Sequence, residues 1–231
     1  MYLVVSGEGE TDIGKSNDAI GPLSKLIDKF IEPYSGFSLL EAEMLEVVHE
    51  TRITEISRDR TIIKPLSRRG KKTQHETREF YSAARALAHV AQNTEIQPSL
   101  AVLFHDSDSN KWPDYNTKRL SMEHGFEAQD FENGVPFVAQ PKSEAWLICA
   151  LKNGYQHCEA LEERSGNDNS PRSLKAELEA HLGESATREK LNELVDEGKI
   201  DLANITDMKS MTDFQESMKE VLGRMLGRPI E

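Results

Sequence analysis

Residues 1–6, MYLVVS, form a short run of β-branched and aromatic side chains that stops at Gly7, the pattern of a buried strand feeding a turn. Ile20, Leu23, Ile27, Phe30 and Ile31 then fall on one helical face, and Pro33 is expected to end that helix. Between 39 and 57 the pattern is divided. Leu40, Met44, Val47 and Val48 have helical spacing, whereas 51–56 alternate as a strand would, so the boundary stays open. TIIKPL at 61–66 predicts a further strand, moved toward a sheet edge by Pro65. A long helix over 76–92 would bury Phe80, Ala84, Leu87 and Val90. The strongest strand is SLAVLFH at 99–105, an unbroken apolar run suited to the centre of a parallel sheet. A helix near 116–129, a short strand at 135–139 and a helix over 143–151 complete the alternation.

Past Gly154 the texture changes to a polar loop at 163–172 followed by charged amphipathic helices. Alternating strands and helices predict an α/β domain over 1–152, a largely parallel sheet flanked by helices, with a helical C-terminal appendage over 153–231. At 231 residues the chain can bury a sizeable core without cross-links. Cys149 and Cys158 show no paired metal-ligand spacing and are expected to be reduced thiols. No apolar run reaches membrane-spanning length and no leader pattern opens the chain, so a cytoplasmic protein is expected. The net charge of −12 argues against coating nucleic acid by bulk electrostatics and leaves such binding to local patches or to a bound cation.

Two loops carry candidate chemistry. GETDIGKS at 9–16 matches the phosphate-binding P-loop pattern, lies between a predicted strand and a helix, and would place Lys15 on phosphates and Ser16 on Mg²⁺; LAVLFHD at 100–106 would then serve as its acidic strand. Against this nucleotide-binding ATPase or kinase assignment, Glu8, Glu10 and Asp12 would crowd three carboxylates around a polyanion. The other assignment begins from the acids. Glu8 ends the first strand at the sheet edge where open α/β folds place their sites. Glu10 is expected to be a solvated loop acid.

Asp106-Ser107-Asp108 places two carboxylates where the central strand runs out, suiting an oxygen-seeking Mg²⁺ or Mn²⁺ that keeps waters for substrate, although Asp and Ser are also ordinary turn residues. If the two strands are neighbours, Glu8 joins the pair. An E-G-x-T-D loop after the first strand, with an apolar strand ending in D-S-D, resembles the TOPRIM fold, and more closely the small stand-alone TOPRIM-like proteins of the DUF4276 type, related to OLD-type nucleases. The resemblance spans about 1–152 and includes Pro141-Lys142-Ser143-Glu144-Ala145-Trp146-Leu147. It implies metal-dependent cleavage of DNA or RNA, with Glu8, Asp106 and Asp108 as metal ligands and Glu144 and Lys142 near the site. A phage-defence setting beside an ATPase partner protein is also implied. Glu144 has an alternative role in stabilising the first turn of its helix, and a non-catalytic interaction module remains the third alternative.

Lys64, Arg68, Arg69, Lys71 and Lys72 form the densest basic cluster and would hold a phosphate backbone, with Lys142 and Lys15 as smaller candidates; a solvated loop is the plainer alternative. Alternation along 99–105 points His105 away from Asp106, predicting a packed or surface histidine. Trp112 and Tyr115 are expected to pack their loop rather than stack on a base.

Overall fold

The computed structural model describes residues 1–63, 77–108, 113–152, 157–170 and 172–230. Its centre is a four-stranded, all-parallel sheet in the order β2-β1-β3-β4. The strands are β1 (Tyr2–Gly7), β2 (Leu45–Val47), β3 (Ser99–Asp106) and β4 (Gly134–Ala139). The chain is therefore α/β, as the alternation predicted, and the strands opening at residues 1 and 99 lie side by side, with Gly7 opposite Phe104.

Pleating divides the apolar residues between two faces. Leu3, Val5, Leu100, Val102, Phe104, Val135 and Phe137 face one side, where α1 (Pro22–Ser35), α5 (Ser143–Leu151) and the C-terminal helices pack. Val4, Ala101, Leu103 and Val138 face the other, covered by α2 (Glu50–Arg58), α3 (Arg78–Gln92) and α4 (Tyr115–Glu127). After α5 come α6 (Glu159–Glu162), α7 (Leu174–Leu182), α8 (Arg188–Asp196) and α9 (Lys209–Leu226). Their apolar residues belong to the same continuous core as the first face. Phe214 of α9 lies 3.9 Å from the ring of Phe137, centroid to centroid.

Several local expectations are corrected. In the divided stretch the assignment is the reverse of the spacing: 45–47 are strand and 50–58 helix. Pro33 does not end its helix but sits in the last turn, and Gly36, at φ 83°, closes it by donating its N–H to Glu32 O at 2.8 Å. Of the strand expected over 61–66, Thr61–Ile63 form a turn whose amides at Ile62 and Ile63 bond back to Asp59 O; the rest lies outside the described residues. The two cysteines are not free thiols. The Cα atoms of Cys149, in α5, and Cys158 lie 5.6 Å apart, joined by a disulfide.

Ala101 N and Ser107 N donate to Asn133 O and Ala139 O, so the odd-numbered peptide groups of β4 face β3. Pro136, at an even position, falls on the outer side of this edge strand.

Candidate functional site

The site lies where β1 and β3 run out. Gly7 is required there by close approach: a Cβ would stand 2.4 Å from Phe104 O and 2.7 Å from Phe104 Cβ. With the strands that close, Glu8 N donates to Phe104 O at 3.2 Å, and Glu8 is set beside the end of β3. Gly9, at φ 86°, then turns the chain, and the loop is pinned by buried Ile13, whose carbonyl accepts from Ser24 Oγ at 2.6 Å and Gly21 N at 2.9 Å. This anchoring aims Asp12 inward. From the other side comes the first turn of α5, whose Ser143 donates its N–H to Asp106 Oδ1 at 3.0 Å and its Oγ–H to Asp12 Oδ1 at 2.6 Å. One serine at a helix start thus ties two aspartates together.

Asp12, Asp106 and Glu144 are all held above the ordinary carboxylate range. For Asp12 burial is the main cause, opposed by the Ser143 hydrogen bond and reinforced by Glu144 and Glu8, and its pKa reaches about 6. Asp106 is pushed well up by burial and then by the neighbouring charges of Asp12 and Glu144. Burial also raises Glu144, whose Oε2 is enclosed without a hydrogen-bond partner. Glu8 goes the other way. His105 donates from Nδ1 to Glu8 Oε2 at 3.2 Å and draws its pKa down, so Glu8 is the most readily ionised member of the group, with about half of its side chain exposed.

Asp106 and Asp108 part company. Asp108, at φ 60°, turns outward to Lys118 Nζ at 3.7 Å and Lys142 Nζ at 3.9 Å. Lys142 also donates to Asp168 at 2.8 Å; burial works against its charge, but that bond and the nearby acids keep its pKa above the usual value. Lys118 is only 8% exposed, donates to Asp106 O at 2.7 Å and lies over the Phe80 ring.

Glu8, Asp106 and Glu144 are therefore brought together, with Asp108 and Lys142 at the rim. Lys64, Arg68, Arg69, Lys71, Lys72 and Trp112 lie outside the described residues. Three participants were missed. Asp12 was legible only as part of the E-G-x-T-D loop. Lys118 shares its helix face with Tyr115, Met122 and Phe126, and a lysine on a buried stripe was the available signal. His105 does point to the face opposite Asp106 and packs edge-on against Phe80, 4.9 Å between centroids, yet its ring still reaches Glu8.

The GETDIGKS segment does not lead straight into a helix. Lys15 N donates to Ala19 O and Ala19 N to Ser16 O, Gly14 pairs with Ile20, and α1 begins only at Pro22. The amides of Asp12 and Ile13 bond to Gly9 O, and Lys15 Nζ lies 3.5 Å from Glu10, which also pairs with His49. A P-loop needs its Lys and Ser in the first helical turn with amides turned to the ligand.

No protein-family model, curated protein or solved structure matches this chain. Among the described residues no three His, Cys, Asp or Glu side chains surround a common point as a finished metal cage would. The donor set nonetheless suits a hard divalent cation: its members are oxygen ligands, they repel one another, and Glu144 Oε2 has no other partner.

Proposed function

We propose that the chain is a Mg²⁺- or Mn²⁺-dependent nuclease, hydrolysing phosphodiesters of DNA or RNA at the end of β1 and β3. The observation that carries this is the buried carboxyl group of three, Asp12, Asp106 and Glu144, raised by burial and repulsion beside an ionised Glu8. A fold keeps such mutual repulsion where a cation relieves it. Asp106, Asp12 and Glu144 would hold the ion. When bound, it draws charge off the phosphoryl oxygens as a Lewis acid. Glu8, kept ionised by His105, accepts the proton of the attacking water, and the histidine bond fixes which oxygen faces inward. Lys142, beside Asp108 at the rim, attracts and orients the phosphate, while the buried Lys118 holds the Asp106 carbonyl in place. The parallel sheet with acids at its C-terminal edge supports the TOPRIM-like resemblance and, through it, a partner ATPase and a defence setting. No helix among the described residues is long and apolar enough to cross a membrane.

The test is cleavage of labelled single- and double-stranded oligonucleotides by the full chain in Mn²⁺ or Mg²⁺. Glu8→Gln should lower the rate about 10³-fold, a loss of roughly 4 kcal/mol of transition-state stabilisation. Asp106→Asn should fall to background while folding persists, because an amide oxygen can still accept from Ser143 N. Full activity in both variants would refute the assignment. So would a wild-type chain that cleaves nothing and shows no Mn²⁺-induced rise in melting temperature.

A further inference from the structure

On the α2/α3 side of the sheet a cleft of about 1060 Å³ opens beside the same strand ends. Ser6, Gly7 and His105 form its inner wall, so the ring that bonds Glu8 also faces this space. Arg58 and Arg60, at and just past the end of α2, and Arg78, at the start of α3, stand at its mouth. All three are exposed and without an ion-pair partner among the described residues. Arg85 lines it deeper down, and against the three exposed arginines the described lining supplies two acids, Glu50 and Glu79. A surplus of positive charge in one cleft is notable on a chain of net charge −12.

We infer that this cleft binds the sugar-phosphate backbone of a single-stranded polynucleotide and leads it past His105 to the carboxyl group. The inference rests on the proposed nuclease function for the destination of the strand, but not for its binding. Three features select the ligand class. The arginines are planar donors matched to phosphate oxygens. They stand on different elements around one opening rather than at one point, which suits a row of phosphates. The volume lies at the upper end of small-molecule sites, leaving room for more than one nucleotide. The rest of the acidic surface repels the same ligand and so confines it to the cleft.

The experiment is fluorescence anisotropy of a labelled mixed-sequence 12-nucleotide single strand, in EDTA so that no cleavage intervenes, titrated with the full chain between 50 and 200 mM salt. Arg58→Gln, Arg60→Gln and Arg78→Gln combined should weaken binding at 50 mM salt at least tenfold. The slope of log affinity against log salt should fall by about 2, near 0.7 for each phosphate no longer neutralised. These are exposed positions, and an unchanged melting temperature will show that the variant is folded. Unchanged affinity and slope would overturn the inference, and so would displacement of the strand by a mononucleotide at equal phosphate concentration, which marks a small-anion pocket. Binding that depends on the arginines in a chain that cleaves nothing would uphold the cleft while refuting the nuclease. Cleavage with arginine-independent binding would do the reverse.

Discussion

On one face of the sheet Phe104, Phe137, Trp146 and Phe214 fill the interior with large rings, Trp146 stacking on Phe137 at 4.8 Å and donating its indole N–H to Ser210 Oγ at 2.8 Å. On the other face the covering helix α3 presents Ala84, Ala86, Ala88 and Ala91 beside Leu87, and Ala101 answers from the sheet. The bulky face immobilises α5, and with it Ser143 and Glu144, against the strand ends. On the second face the arginine cleft opens among α2, α3 and the strand ends. One sheet thus supplies a carboxylate wall on one side and a basic cleft on the other.

Truncation should expose that asymmetry first. Trp146→Ala removes a fully buried ring and its hydrogen bond and is expected to cost about 4–5 kcal/mol, whereas Leu87→Ala, a smaller truncation beside the alanines of α3, should cost about 2–3 kcal/mol. Chemical denaturation of both variants measures the gap. Equal losses would mean that the two faces are equally well packed.

A somewhat smaller effect concerns the carboxylate wall. Asp12 releases its proton near pH 6 when folded and near 3.8 when unfolded, so between these values the folded chain binds more protons and stability falls as pH rises. The penalty is absent below about pH 3.8 and complete above about pH 6, where it is on the order of 3 kcal/mol. Asp12→Asn should therefore match wild type near pH 4 and exceed it in melting temperature at pH 7–8, while losing the stabilisation that Mn²⁺ gives wild type at that pH. A variant less stable than wild type at pH 8 would show that the Asp12 charge is not under strain.

The sequence made some of this visible and hid the rest for physical reasons. β1, β3 and β4 are continuous apolar runs, which only buried strands or helices tolerate, and their polar ends marked Glu8 and Asp106. The stretch 39–57 stayed ambiguous because β2 has three residues, too few for a period, and α2 buries only Ile53. Its apparent alternation is Ile53 and Ile56, three apart on one helical face. The lysine partners of Asp108 were not legible because its positive φ turns the chain immediately after the strand. Asp12 depends on anchoring by Ile13 and Ser24, and the disulfide on the approach of two residues nine apart. Neither is written in local pattern.

The smallest expected effect lies on the outside of the bulky face, where Lys25 of α1 pairs with Asp196 of α8 at 2.6 Å and the acid is more than half exposed. Asp196→Asn should cost no more than about 1 kcal/mol in a denaturation experiment, since solvent screens the pair. A larger loss would show that the helices of this face are held by charge rather than by their apolar residues.

Pro136 bears on the outer side of β4. An edge strand with a full row of outward N–H donors is a template on which a second chain can extend the sheet, but residues 135–139 are all buried, so this side is already covered. By removing a donor from the middle of that row, the proline interrupts the template while leaving the inward ladder to β3 intact. Beneath that cover it also leaves one fewer buried N–H in need of a partner.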